Sequence, residues 1–153
     1  MPSATVSRRE IETHSADETI ALGRQIGASL KPPVLILLTG DLGAGKTTLT
    51  KGIVSGAGAA HEEEVTSPTF TLIHKYAGEP SPDGGCPIYH IDLYRVENRQ
   101  GLESLGLEDI FNEPAIVIVE WPDRLNLPRN WPVINIKLEH LSEEARKLII
   151  DGK

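Results

Sequence analysis

The chain has 153 residues, which is enough for one folded domain with its own hydrophobic core. Its formal net charge is −7, and this acidity argues against non-specific binding of DNA or RNA, because neutralising phosphates requires lysine and arginine. The single cysteine, Cys86, excludes an intramolecular disulfide. No apolar run approaches the ~20 residues of a membrane span. We therefore expect a cytoplasmic protein in which residues 1–153 form a single domain.

The first third of the chain predicts a strand, a helix and a second strand. Residues Thr5–Thr13 alternate enough between polar and apolar types to predict an edge strand. Ser15 with Glu18 three residues later is typical of a capping box, so a helix is expected to begin there and to end before the Pro-Pro pair. The apolar run Val34–Leu38 predicts a strand that is buried on both faces, as in a parallel sheet.

Residues 40–47 read GDLGAGKT and fill every fixed position of the phosphate-binding pattern G-x-x-x-x-G-K-[ST]. The pattern follows the predicted apolar strand and precedes Lys46–Ser55, a segment that predicts a helix ending near Gly56 or Gly58. Strand, glycine-rich turn and helix are the context in which this pattern forms a nucleotide site.

The residue types in this pattern suit the binding of phosphate. Gly40 and Gly45 allow a tight turn, in part at positive φ, whose N–H groups surround an anion together with the helix N-terminus. Lys46 is expected to face solvent and to reach the β- and γ-phosphates, and the Thr47 hydroxyl to bind Mg²⁺. The residues predicted to contact the nucleotide here are Asp41, Leu42, Gly43, Ala44, Gly45, Lys46, Thr47 and Thr48.

The rest of the chain predicts five more strands. They are Phe70–Tyr76, Ile88–Tyr94, Ala115–Val119, Pro132–Leu138 and Arg146–Ile150. The first two flank a loop rich in proline and glycine and predict a hairpin, the third is wholly apolar, and the last two predict an antiparallel pair. The predicted fold is a three-layer α/β sandwich of the P-loop NTPase type, with a mostly parallel central sheet and antiparallel edge strands.

Two acidic residues follow apolar strands and are candidates for catalysis. Glu120 ends the run AIVIVE, and Asp92 lies in IYHIDLYR. Ligands of open α/β sheets bind at the carboxyl ends of the strands, so either acid can hold Mg²⁺ while the other polarises the attacking water. The alternative is a solvated turn residue or a helix cap. Trp121 is predicted to offer either a stacking surface beside the nucleotide or only the edge of the core.

The segment VTSPTF, residues 65–70, follows the predicted P-loop helix. In nucleotide switches this region senses the γ-phosphate, and Thr66, Ser67 and Thr69 supply hydroxyl groups suited to that role. An ordinary Ser-Pro turn is the alternative. His74 and His90 lie on strand patterns, and we expect them to be packing residues rather than ligands.

Four sequence blocks occur in an informative order: GDLGAGKTT, TSPTF, YHIDLYR and VEWPDRL. In this order they resemble the TsaE (YjeE) family of small bacterial P-loop ATPases, over about residues 10–140. The resemblance implies a role in making N6-threonylcarbamoyladenosine at position 37 of tRNAs that read ANN codons. It implies association with the TsaD–TsaB heterodimer, contact with tRNA only through that complex, and no role for DNA or a membrane.

The resemblance also implies ATP and ADP as ligands, with Mg²⁺ as the metal. Lys46 and Thr47 would hold the phosphates and Mg²⁺, while Asp92 and Glu120 would supply the acidic groups, in an order that stays open. Lys46, Asp92 and Glu120 are thus the candidate catalytic residues. The candidate metal ligands are Thr47, Asp92 and Glu120.

Other functions remain alternatives on the sequence alone. A small-molecule kinase uses the same phosphate loop, but the chain has no arginine-rich stretch for a lid. A regulatory GTPase usually carries an N-K-x-D segment, which this chain lacks. A nucleotide-sensing adaptor with little turnover would need only the binding half of the site.

Overall fold

The computed structural model describes residues 7–40, 45–58, 65, 73–76, 87–92, 110–112, 114–120 and 131–152. The two helices in this part of the chain are α1 (Ala16–Ser29) and α2 (Lys46–Gly56). The strands are β1 (Ser7–Thr13), β2 (Val34–Gly40), β3 (Ile73–Tyr76), β4 (Ile88–Asp92), β5 (Ile116–Glu120), β6 (Val133–His140) and β7 (Arg146–Gly152).

All seven of these strands form one sheet in the order β1-β7-β6-β2-β5-β4-β3. The four central strands β6, β2, β5 and β4 are parallel to one another, whereas β3 at one edge and β7 and β1 at the other pair antiparallel. The predicted α/β sheet with a parallel centre and antiparallel edges is therefore confirmed, as are the β3–β4 hairpin and the β6–β7 pair. The predicted strand residues Thr5, Val6, Phe70–Leu72 and Leu93–Tyr94 lie outside the described residues.

Both faces of the central sheet are buried. Successive residues of a strand point to opposite faces, and in β2 and β5 the residues on both faces are buried. Even-numbered apolar residues of the central strands, such as Ile36 and Ile118, pack with Leu49 and Ile53 of α2. Odd-numbered residues such as Val117 pack in a second cluster. Partly buried side chains that cover this second cluster include Ile110, Phe111 and Trp131. The apolar runs without polar alternation thus mark the strands with two covered faces.

The helices α1 and α2 make their closest approach at glycine residues. A Cβ atom at Gly23 would lie 2.6 Å from the carbonyl oxygen of Leu49, and one at Gly27 would overlap the carbonyl of Ile53. On the other helix, a Cβ at Gly52 would overlap the backbone of α1 in the same way. The two helices therefore approach at backbone distance, which fixes where α2 begins relative to the sheet.

The start of α1 follows the predicted capping pattern. The Ser15 hydroxyl accepts a hydrogen bond from the Glu18 amide at 3.1 Å, and the Glu18 carboxylate accepts one from the amide of His14 at 2.8 Å. The first bond satisfies one of the amide groups that a helix start leaves without a partner, and the second ties the residue before the cap to the first turn. The helix ends at Ser29, before the two prolines.

Candidate nucleotide-binding site

The candidate site lies at the carboxyl edge of the parallel strands, where β2 ends and α2 begins. Gly40, the last residue of β2, has φ 142°, and Gly45, the N-cap of α2, has φ 101°. Backbone in this region favours glycine because a Cβ atom would be strained there. The backbone thus requires positive φ at both fixed glycines of the predicted loop. The predicted nucleotide contacts Asp41, Leu42, Gly43 and Ala44 lie outside the described residues.

The N-terminus of α2 differs from that of α1 in a way that suits an anion. Gly45 provides no side-chain cap, and the first turn of α2 contains no acidic residue. In α1, by contrast, the first turn carries Asp17 and Glu18 in addition to the Ser15 cap. No carboxylate in the first turn of α2 therefore neutralises the positive end of its dipole. This leaves the positive end of the helix able to attract a phosphate group.

Lys46 is buried, so the expectation of a solvent-facing lysine is wrong. It is 5% exposed, and its Nζ donates a hydrogen bond to the carbonyl oxygen of Gly40 at 2.6 Å. A buried ammonium group requires acceptors, and the end of β2 supplies one. The bond joins the two ends of the phosphate-binding pattern and holds the ammonium group beside the start of the loop.

The threonines that follow Lys46 occupy the first turn of α2. Thr47 and Thr48 are half-buried, whereas Thr50 is fully buried and donates its hydroxyl to the carbonyl of Lys46 at 2.8 Å. Thr50 is therefore engaged within the helix. Thr47 and Thr48 lie at the end of α2 where a phosphate group or a metal ion would bind.

The two candidate acids stand at the same level of the sheet as the end of β2. Glu120 is the register partner of Leu38 on one side and of Asp92 on the other. Both acids are even-numbered strand residues, so their side chains lie on the sheet face that α2 covers. Neighbouring strands are about 4.8 Å apart, so the two carboxylates and the start of α2 share one corner of the molecule.

Glu120 is buried and bonded, which excludes the alternative of a solvated turn residue. Its side chain is 5% exposed, and its Oε2 lies 2.6 Å from Nε2 of His90, whose side chain has no exposed surface. His90 is fully buried in the sheet, as expected of a packing residue, and in addition it bonds to Glu120. The sequence signal for it was a polar residue at an inward position of a central strand, two residues before Asp92.

Arg146 is a second residue near the site that the sequence patterns did not single out. A Cβ atom at Gly45 would lie 3.8 Å from Nε of Arg146. The Nη1 atom donates to the carbonyl oxygens of Ser142, Glu143 and Ala145, at distances between 2.9 and 3.3 Å. Arg146 therefore holds the turn between β6 and β7 against the start of α2.

Some predicted site residues cannot be placed. Thr66, Ser67, Thr69 and Trp121 lie outside the described residues. Within the described part, no group of three or more His, Cys, Asp or Glu side chains is arranged around a common metal position. None of the helices described is long and apolar enough to cross a membrane.

Comparison with known proteins assigns this arrangement to a family. A family model described as threonylcarbamoyl adenosine biosynthesis protein TsaE matches residues 13–148. The chain belongs to the TsaE family. The match runs from the end of β1 into β7, so it contains the phosphate-binding pattern and both acidic strand ends.

Individual relatives and a solved structure agree with this assignment. The chain is 36% identical to the TsaE protein of Bacillus subtilis over 136 residues, which are 89% of this chain and 80% of that protein. It is 41% identical to the TsaE protein of a Nostoc species over 86% of this chain and 78% of the relative. A crystal structure of Bacillus subtilis YdiB superimposes with a TM-score of 0.71 and 31% identity, covering 98% of this chain and 88% of that one.

Proposed function

We propose that this protein is the ATP-binding and slowly ATP-hydrolysing component of the tRNA N6-threonylcarbamoyladenosine machinery, acting in the cytoplasm with the TsaD–TsaB complex. Membership of the TsaE family supports the pathway. One observation supports ATP hydrolysis most directly. The phosphate-binding pattern follows β2, and Glu120 and Asp92 lie at the ends of the next two strands of the sheet, β5 and β4.

The residues present suit a magnesium nucleotide. Lys46 and the uncapped start of α2 supply positive charge, and the Thr47 hydroxyl with the carboxylates of Asp92 and Glu120 supplies hard oxygen atoms. Mg²⁺ prefers such ligands and is usually held by one or two carboxylates together with substrate phosphates and water. When bound, Mg²⁺ neutralises phosphate charge as it accumulates.

In this proposal each residue has a separate task. Lys46, held beside Gly40, binds the β- and γ-phosphates, and Thr47 contributes to the metal site. Glu120, which is fixed by a short hydrogen bond, orients and polarises the attacking water, whereas the more exposed Asp92 binds metal directly or through water. Such positioning and electrostatic stabilisation provide most of the catalysis in phosphoryl transfer to water.

The partners are proposed to be proteins rather than nucleic acid. The net charge of −7 disfavours direct binding to the phosphates of the tRNA backbone. The TsaE resemblance points to the TsaD–TsaB heterodimer, with ATP hydrolysis resetting that complex between rounds of transfer. Turnover is therefore expected to be low for the protein alone and to change when the partners bind.

Reconstituted tRNA modification tests the pathway. TsaD, TsaB, the threonylcarbamoyl donor, ATP and unmodified tRNA would be incubated with the wild-type protein or with a Lys46→Ala variant, and modified nucleoside would be counted per TsaD. We expect many rounds with the wild type and about one round with the variant. Repeated rounds with both proteins, or with neither, would contradict the proposed role.

A further inference from the structure

The side chains of His90 on β4 and Glu120 on β5 form a buried hydrogen bond between two central strands. The distance between Nε2 and Oε2 is 2.6 Å, and the two side chains are 0% and 5% exposed. A short bond to a carboxylate is a strong one, and burial prevents water from competing for it. Glu120 thus has one of its two carboxylate oxygens fixed in place by the neighbouring strand.

Apart from the contact with Glu120, the described structure gives the His90 side chain no hydrogen-bond partner. Ile88 of β4 and Ile118, the register partner of His90 on β5, lie on the same face of the sheet and are fully buried. The Nδ1 atom of His90 is buried and has no hydrogen-bond partner in the described part of the chain. An unpaired buried polar atom costs stability and calls for an explanation, and an apolar side chain at this position would avoid that cost. The contact with Glu120 is the explanation that the structure supplies.

We propose that His90 is a positioning residue for ATP hydrolysis, which holds the Glu120 carboxylate in the orientation needed to act on the attacking water. This inference rests on the proposed ATPase function. In this role the imidazole Nε2–H donates a hydrogen bond to Oε2, which leaves Oε1 available to the reacting groups. His90 itself touches neither nucleotide nor water in this account and acts only through Glu120.

A pair of amide substitutions separates positioning from packing. Gln in place of His90 can bring an N–H group near the position of Nε2, whereas Asn is one methylene shorter and cannot reach Glu120. Both variants place an uncharged amide in the same buried space, so a general loss of stability affects both. We expect His90→Asn to lower kcat about 10- to 100-fold, which is the size of loss seen when the hydrogen-bond partner of a metal-binding side chain is removed. We expect His90→Gln to recover most of that rate.

The affinity for ATP provides the second readout. Because Glu120 acts in the reaction rather than in binding phosphate, Kd for Mg-ATP should stay within about twofold of wild type in both variants. In a Glu120→Ala background, His90→Asn should cause little further loss of kcat, since the two residues act as a unit. Equal kcat in the Asn and Gln variants, or a fully additive loss in the double variant, would overturn the proposal.

A measurement without turnover keeps this inference separate from the ATPase proposal. NMR of protein labelled with ¹⁵N-histidine reports which ring nitrogen carries a proton, and the His90 signals are assigned by their absence in His90→Asn. We expect a downfield Nε2–H proton that moves or vanishes in Glu120→Ala. If this signal is present but no hydrolysis occurs with partners, the ATPase proposal fails while the contact stands. If the chemical shift of this proton is the same in Glu120→Ala as in the wild type, the positioning proposal fails regardless of activity.

Discussion

Asp92 and Glu120 are register partners on adjacent parallel strands, and both point to the sheet face that carries α2. Twenty-eight residues separate them in sequence, yet the sheet brings them side by side because parallel strands end at a common edge. The two acids differ in environment, since Glu120 is buried against His90 while Asp92 is half-exposed. This difference favours separate roles for the two carboxylates.

Removing either carboxylate should impair hydrolysis more than binding. We expect Glu120→Ala and Asp92→Ala to lower the rate of ATP hydrolysis by about 100-fold or more, because positioned acid–base groups contribute about that much. The affinity for ATP, measured by calorimetry, should change far less. Glu12→Ala is the matched control, since this exposed carboxylate lies on the edge strand β1. Normal turnover in both site variants would move the metal and water site elsewhere.

Replacing the loop lysine should abolish tight nucleotide binding. Lys46→Ala removes a charged hydrogen-bond donor worth about 1.5–3 kcal/mol, so the affinity for ATP should fall by roughly 10- to 100-fold or more. The fold should survive, as judged by circular dichroism and thermal unfolding. Lys51→Ala, in the same helix but four residues beyond Thr47, is the control. An unchanged affinity in Lys46→Ala would refute the assignment of the phosphate site.

The contact between α1 and α2 should not tolerate a methyl group. In Gly27→Ala or Gly52→Ala the new Cβ would overlap a backbone carbonyl of the other helix, which cannot move as a side chain can. We expect the free energy of unfolding to fall by about 1–3 kcal/mol or more. Gly152→Ala is the control, because a Cβ there meets nothing within 4 Å. Chemical denaturation measures the difference, and equal stability of all three variants would contradict the close packing.

The cap of α1 should contribute measurably to stability. Ser15→Ala removes the hydroxyl that accepts from the Glu18 amide, and such a loss typically costs about 1 kcal/mol. Ser15→Asp should retain most of the stability, because aspartate is an equally good N-cap. Denaturant titration of the three proteins checks this. A Ser15→Ala variant as stable as the wild type would show that the cap is dispensable.

Local sequence patterns were sufficient to predict most of the sheet. Purely apolar runs mark central strands, as in Val34–Leu38, and the predicted hairpin and C-terminal pair are present. The phosphate-binding pattern was equally informative, since Gly40 and Gly45 adopt the positive φ values that only glycine accepts readily. These features depend on neighbours in sequence, and therefore the sequence alone reveals them.

Features that depend on contacts across the fold could not be predicted. The contact between α1 and α2 depends on Gly23 and Gly27, and only the packed helices show why these positions are glycine. The strand pattern marks His90 as a polar residue at an inward position, but it does not reveal the bond to Glu120, because that partner lies thirty residues further along the chain. Lys46 was expected in solvent for the same reason, since the acceptor for its ammonium group comes from the preceding strand.

The most direct test of the proposed function is Mg²⁺-dependent ATP hydrolysis by the purified wild-type protein, measured alone and then with TsaD and TsaB added. We predict slow hydrolysis by the protein alone, a clear change in rate when the partners are present, and loss of both rates in Glu120→Ala. Equal rates with and without the partners, together with no co-elution of the three proteins, would contradict the account. The protein would then be a P-loop ATPase that acts outside tRNA modification.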